Sequence, residues 1–454
     1  MTMDNSAAVR AGVEEEPSGP IGIVAPGPEP AAAPEWGLGK KILFRFAFVY
    51  LVLYSFPFPL DYVPLAWIGK LFVWYSGLWE SAIRWVGPHL FHVSITATPN
   101  GSGDTTYNYV EVFCHLVVSV AAVLVWSLLD RRRRNYARLY DWLYLYTRFV
   151  LAAAMISYGA FKIIPSQFPS PAVGRLMQPF GDSSPMGLLW TFMGASAAYT
   201  IFAGSAEMLG GLLLVFRRTA LLGGLVAVGA MTNVVVLNFS YDVPVKLYSS
   251  HLLLMAVFLV LPHLDRLANV FVLNRPAPAA DLRPLFHKRW LRIASLVVWA
   301  VFVVYVIYFS LNLSWTNLQQ YGRPGPKGPM QGLWNVEEYV VDGQAHPPLI
   351  TDETRWRRLA LDYPGSFSIQ LMNDTRQRYN YEVNMKTRLW DITKRNDPNW
   401  KTSIRLQHPQ PDVAILTGKF DGHQVQAKMH RIEPPKFLLM TRGFHWINEY
   451  PFNR

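Results

Sequence analysis

Seven apolar runs, each close to the length that crosses a bilayer, constrain this chain more than any motif in it. They cover residues 42–60, 109–129, 141–163, 192–216, 219–239, 246–264 and 290–311. A helix needs about 20 mostly apolar residues to span hydrocarbon, where a backbone must satisfy its own hydrogen bonds. Composition agrees: of 454 residues, 51% are hydrophobic and only 16% are charged. The net charge of +11 would suit nucleic acid if the basic residues were gathered in one soluble domain. They sit instead at the ends of the apolar runs, as in membrane proteins. The expected partner is therefore the lipid bilayer, not nucleic acid.

The basic clusters also predict orientation. Lys40 and Lys41 precede the first run, Arg131 to Arg134 follow the second, and Arg217 and Arg218 separate the fourth and fifth. Arg266, Arg275, Arg283, Lys288 and Arg289 lie between the sixth and seventh. With a cytoplasmic N-terminus all four clusters fall on the cytoplasmic side. This predicts a multi-pass protein of the cell inner (plasma) membrane with an external, periplasmic C-terminal domain. Residues 1–36, rich in Ala, Pro, Glu and Gly, are expected to form a disordered cytoplasmic tail; they are acidic, lack an apolar centre, and do not read as a secretory signal. Residues 64–90 carry Lys70, Gly77, Glu80, Ser81 and Arg84 on one helical face, with Trp67, Trp74, Trp79 and Trp85 interleaved. They read either as an interfacial helix on the outer surface or as an eighth, partly buried span.

After Ser314 the texture changes. Residues 313–330 read as a linker, its second half falling in the Pro/Gly-rich "YGRPGPKGPMQG" of 321–332. From 331 to 454 come eight short alternating segments, from "LWNVEEYVV" through "HQVQAKMHRI" to "KFLLMT", separated by turns such as "DYPG", "RNDP" and "FDGH". That spacing predicts an all-β antiparallel barrel or sandwich. The expected fold is thus a membrane all-α helical bundle of about seven spans (37–312) followed by a β domain. The opening of that domain, with Gly332 and Trp334, resembles the Gly-x-Trp start of lipocalin-like barrels, which implies that Trp334 plugs one end.

Charged groups are expensive near hydrocarbon and mark places to examine. Glu207 shares its helical face with, or borders, Thr200, Ala203, Gly204, Gly210 and Gly211, small residues that let helices approach closely. Its expected partner is Arg148, judged to lie at similar depth when both helices are counted from their cytoplasmic ends; Lys162 falls nearer the outside. Pro244 sets the start of the sixth span, which makes Asp242 a candidate N-cap. Lys246, four residues on, is placed to pair with Asp242, whereas His251 points elsewhere. Capping and pairing account for much of "YDVPVK". A site is the other reading, because Asn238, Asp242, Lys246 and Lys162 all fall at the outer end of one bundle. The single cysteine, Cys114, rules out an intramolecular disulfide. No ligating set for haem, iron–sulfur or zinc is visible.

The core from 140 to 265 resembles the DoxX-like membrane family. The resemblance rests on "RFVLAAAMISYGAFKI", "FAGSAEMLGGLLLVFRRTALLGGLVAVGAM" and "NFSYDVPVKLYSSHLLL", with Glu207, Gly210, Gly211 and Arg217 in the family's Glu–glycine–basic-turn pattern. A fainter likeness, carried by Gly159 and Lys162 in "SYGAFKI", is to the membrane domain of vitamin K-dependent carboxylase relatives, where such a lysine is an active-site base. These resemblances imply quinone-linked chemistry at an external membrane face, alongside membrane redox partner subunits. Lys162 and Asp242 are then the catalytic candidates, with Asn238, Lys246, Glu207, Arg148 and Tyr158 contributing to ligand binding and a quinone as the cofactor. The competing expectation is a non-enzymatic, membrane-anchored protein whose barrel binds a lipid or a partner.

Overall fold

The structure is a computed structural model that describes residues 35–453, apart from 64, 96–100, 280–285, 287, 322–329, 364, 385–388 and 433–436. Nearly all of the N-terminal tail therefore lies outside the described residues. Among the described residues eleven α-helices precede the β domain: α1 Leu38–Ser55, α2 Ala66–Val86, α3 Thr106–Leu129, α4 Ala137–Ile163, α5 Val173–Leu176, α6 Pro185–Ala195, α7 Ala197–Val215, α8 Ala220–Ser240, α9 Lys246–Val260, α10 Leu264–Phe271 and α11 Arg289–Tyr321. Seven helical segments are long and apolar enough to cross a membrane, one for each apolar run in the sequence. The segment 64–90, formed by α2, is not among them. Its Glu80 and Arg84 pair one turn apart at 2.8 Å, each about half exposed.

The bundle is organised around α4, which packs against α7, α11, α9 and α1. Glycines set the α4–α7 spacing. A methyl group added at Gly204 would meet Lys162 Cβ at 2.5 Å and the Gly159 carbonyl at 2.8 Å; one added at Gly211 would meet the Ala152 carbonyl at 2.9 Å. The two backbones touch because neither glycine has a side chain. At one end of the bundle, Arg45 on α1 donates to the Tyr136 hydroxyl at 2.6 and 3.0 Å, to Ser127 at 2.6 Å and to the Asp130 carbonyl at 3.1 Å. The Trp36 amide donates to Arg134 in the same place. Antiparallel helices bring the arginines at 131–134 and 217–218 to this basic end. The opposite end carries the β domain.

That domain is a closed antiparallel barrel. Its strands are β1 Gly332–Val341, β2 Gln344–Ala345, β3 Trp356–Tyr363, β4 Ser366–Leu371, β5 Arg376–Asn384, β6 Leu389–Lys394, β7 Asp397–Gln410, β8 Val413–Phe420 and β9 His423–Ile432. Pairing runs sequentially from β3 to β9, and β1 pairs with both β3 and β9, closing an eight-strand ring to which the short β2 is appended. Closure removes the sheet edges. Two details differ from the sequence expectation. "KFLLMT" is no strand: Leu438–Thr441 form a short helix, α12, as a continuous apolar run without alternation can. The eighth strand is instead β6, where Trp390 and Ile392 point inward and Asp391 outward. In addition, α11 continues to Tyr321, so the first half of the stretch read as linker is helix and 322–329 lies outside the described residues.

The barrel interior is filled by buried side chains, among them Trp334, Trp356, Phe367, Tyr379, Phe420 and Met429. Trp334 is fully buried, donates from Nε1 to the Met330 carbonyl at 2.8 Å, and has the Arg431 guanidinium 4.8 Å from its ring. It packs as part of a solid core. Elsewhere Arg355, only 2% exposed, donates to the carbonyls of His346, Trp356, Val336 and Glu337 and holds the β1–β3 connection to the barrel.

Candidate functional site

Six of the seven sequence candidates lie toward the barrel end of the bundle, in several small groups, and Arg148 lies farther down α4 toward the basic end. Lys162, in the last turn of α4, donates to Glu207 Oε2 at 2.7 Å; their side chains are 8% and 5% exposed. Lys162 therefore does not reach out to water. The expected Glu207–Arg148 pair does not form. Because Gly204 faces Gly159 and Lys162, and Gly211 faces Ala152 and Ile156, Glu207 lies opposite the turn around Tyr158. Arg148 is ten residues down the helix, about 15 Å at 1.5 Å per residue. The basic ends of α4 and α7 are not flush: α4, with 27 residues against 19, extends well beyond α7, so equal distance from those ends is not equal depth. Arg148 is buried with its guanidinium 5.2 Å from the Phe149 ring, and its Nε has no hydrogen-bond partner among the described residues.

Asn238 donates to Ser249 Oγ at 3.0 Å, joining α8 to α9. Lys246 pairs with Asp242 at 2.8 Å as its spacing indicates, and the Asp242 side chain is 84% exposed. The cap of α9 differs from the expectation. Asp242 makes no capping bond to α9; Asp104, from the segment before α3, accepts from the amides of Lys246 and Leu247 at 2.7 and 2.9 Å. Gly103 donates to the Pro244 carbonyl beside it. No signal near α9 identifies that acid, because the partner lies some 140 residues away in the chain.

A cavity of about 410 Å³ opens at this end among α1, α2, α3, α4 and α9. Of the seven sequence candidates only Tyr158 lines it; Lys162 sits behind Tyr158, with Nζ 5.5 Å from that ring. The rest of the wall combines aromatic rings, including Tyr54, Tyr75, Trp79 and Tyr248, with Glu111 and His115. Glu111 and His115 are four residues apart on α3 and so share a face. The His115 ring meets Trp79 edge-on at 4.5 Å, and its Nδ1 is buried with no hydrogen-bond partner among the described residues. Behind the cavity, His251 Nδ1 lies 2.7 Å from the Leu247 carbonyl, an acceptor, so that nitrogen carries the proton. In the neutral ring Nε2 then accepts from the Tyr50 hydroxyl at 2.6 Å, while Tyr54 stacks on the imidazole at 3.8 Å. The result is a ring-lined chamber with an acid and an imidazole on one wall, suited to a planar apolar ligand bearing hydrogen-bonding atoms. Sequence reasoning missed Glu111 and His115 although both stand out in "YNYVEVFCHL" as ionisable residues inside an apolar span.

Comparison with known proteins adds one relationship. "Uncharacterized protein YwoB" of Bacillus subtilis (strain 168) is 32% identical over 121 residues, which cover 74% of that protein and 26% of this chain. The chain belongs to the YwoB family. The YwoB relationship concerns that quarter of the chain and assigns no activity. No family model matches the chain, and no solved structure does.

Proposed function

We propose that this chain is a DoxX-like, quinone-linked membrane protein whose bundle binds a quinone-type head group in the cavity between α1, α2, α3, α4 and α9. The observation that carries the reading is the presence of both Glu111 and His115 on a wall lined largely by aromatic rings. A planar ring gains by stacking on Tyr and Trp faces, and its oxygens need hydrogen-bonding groups such as the unpartnered His115 Nδ1. The volume of about 410 Å³ falls in the range of small-molecule sites. In this reading the ring takes two electrons from a membrane redox partner and two protons at its oxygens. His115 and Glu111 are the proton-carrying groups at the cavity. Lys162 holds Tyr158 in place from behind and touches no ligand.

The same reading puts the basic end in the cytoplasm and the barrel outside, at the cell membrane's external face. The four basic clusters support that orientation. A second reading has its own support: the barrel core is filled, as in a scaffold. In that case the chain is a membrane-anchored partner-binding protein without turnover.

The test is binding of a short-tailed benzoquinone to the full chain in lipid nanodiscs, followed by quenching of tryptophan fluorescence, with Trp79 in the wall as reporter. Saturable binding that His115→Leu and Glu111→Gln each weaken about tenfold, the loss of one good hydrogen bond, supports the quinone reading. Absent binding, or binding that neither substitution alters, refutes it and leaves the scaffold.

A further inference from the structure

A second cavity, of about 300 Å³, lies where the barrel meets the bundle. Its loop side, between α4 and α6, contributes Gly174, Gln178 and Asp182; its barrel side contributes Arg358, Ser368 and Arg376 together with Gln370 and Asp374, whose carboxylate is taken up by Arg357 and Gln370. The loop is held against the barrel by the Gly174 amide, which donates to Asp362 Oδ1 at 3.0 Å. Contact is close enough that a methyl at Gly174 would lie 2.6 Å from Asp362 Oδ2 and 3.1 Å from Ser368 Oγ.

The charges around this joint do not balance. Arg357 is paired with Asp374 at 2.6 Å, and the same Asp374 oxygen accepts from Gln370. Arg175 donates to Thr191 at 3.0 Å and to Gln178. The Arg376 guanidinium lies 3.8 Å from Asp362, too far for a hydrogen bond. Asp182 is exposed at the rim. That leaves Arg358 Nε, Arg376 Nη1 and Arg175 Nη2 buried without a hydrogen-bond partner among the described residues. Buried donors of a charged group are ordinarily satisfied; Arg358 and Arg376 both line this cavity, Arg175 stands next to it, and the one orphan acceptor on the wall, Gln370 Oε1, cannot serve all three. The guanidinium fork matches an oxyanion, with two parallel N–H donors for two oxygens. Crowding is also visible in acidity: burial, then Arg378 and Arg175, push Arg376 down to about 10 against the pull of Asp362.

We propose that this joint binds a phosphate-type oxyanion, held by Arg358 and Arg376 with Arg175 adjacent, and that the anion ties the barrel to the bundle. Ser368 supplies a hydroxyl on the same wall. A phospholipid head group at the membrane surface and a free phosphate offer the same chemistry, and the two are separable by experiment. The proposal is independent of the quinone reading, since no cavity residue is shared.

The full chain in detergent is titrated calorimetrically with inorganic phosphate. In parallel, native mass spectrometry records phosphatidylglycerol retained after release from nanodiscs. Arg358→Gln and Arg376→Gln are expected to weaken binding by at least tenfold, the effect of losing a charge-assisted pair. Arg395→Gln, at an exposed position on the barrel, should leave it unchanged. Arg376→Lys keeps the charge without the fork and should bind several-fold more weakly than the parent, so the proposal stays testable if a Gln variant does not fold. Phosphate binding with this pattern identifies a free-anion site; retained phosphatidylglycerol with this pattern and no phosphate binding identifies a head-group site. No binding of either, or binding indifferent to all substitutions at Arg358 and Arg376, overturns the proposal.

Discussion

Glu207→Gln removes one partner of an ion pair whose side chains are 8% and 5% exposed at 2.7 Å. At an effective dielectric constant of about 20, that separation corresponds to roughly 6 kcal/mol of attraction, most of it offset by the desolvation of both groups. The pair therefore adds little net stability, yet breaking it is expensive. The Lys162 ammonium stays buried, and the Tyr158 ring at 5.5 Å does not replace a carboxylate. The expected loss is about 3–5 kcal/mol, or about 6–20 °C in melting temperature for a unit of this size. Lys162→Met should lose as much. The double variant Lys162→Met/Glu207→Leu should return to within about 1 kcal/mol of the parent or exceed it, because no charge is left unpaired. Thermal unfolding of the purified protein in detergent, read by intrinsic fluorescence, measures all of these. Arg148→Met combined with Glu207→Gln should instead be additive to within about 0.5 kcal/mol, as expected for sites about 15 Å apart. Additivity of the Lys162 and Glu207 changes, or rescue of Glu207→Gln by Arg148→Met, would refute the seam geometry.

Other expectations follow from the fold. Asp104→Ala removes the carboxylate that accepts from the Lys246 and Leu247 amides at the start of α9 and should cost about 1–2 kcal/mol, whereas Asp242→Ala, exposed and merely paired with Lys246, should cost about 1 kcal/mol or less; melting curves separate the two. Trp334→Ala should destabilise the barrel by about 3–5 kcal/mol and abolish much of its near-ultraviolet circular dichroism. Burial opposes ionisation of Asp352, but hydrogen bonds from His346, Thr354 and the Thr354 and Arg355 amides outweigh it and hold the carboxyl well below its usual range. Its stabilising contribution is then complete above about pH 4, the unfolded value, and drains away as pH falls toward the depressed folded value. Asp352→Asn should lower barrel stability at pH 7 and flatten the acid limb of its stability profile. A reporter enzyme fused after residue 454 should be active only if it is one that functions outside the cytoplasm.

What the chain's sequence conveys depends on the range over which each signal acts. Length and apolarity are local, so all seven spans were readable, as was the i,i+4 pair of Asp242 and Lys246. The partner of Glu207 was not, because it depends on how far α4 overshoots α7, a quantity set by loops and packing. The α9 cap was hidden for a similar reason: Asp104 arrives from the segment before α3, far off in the chain. In the barrel, β6 carried a readable alternation in "LWDITK", while "KFLLMT" had none and became a helix. Glu111 and His115 were conspicuous inside an apolar run, but what makes them a candidate site is the ring-lined space that α1, α2 and α9 build around them. The unsatisfied arginines at the joint belong to two domains and emerge only once the loop after α4 is laid on the barrel.

The seam between α4 and α7 also restricts how this protein can move. Helices separated by side chains can slide or roll, since rotamers absorb the displacement. Here the Gly204 and Gly211 backbones rest directly on those of Gly159 and Ala152, with a buried ion pair riveted across the same interface. A shift of one residue would drive a side chain into a carbonyl and pull Lys162 off its counter-charge. The pair must therefore travel as one rigid stave. Opening of the ring-lined chamber then falls to α2, α3 and the start of α9, whose link through the Asp104 carboxylate is made of hydrogen bonds that can be exchanged for water.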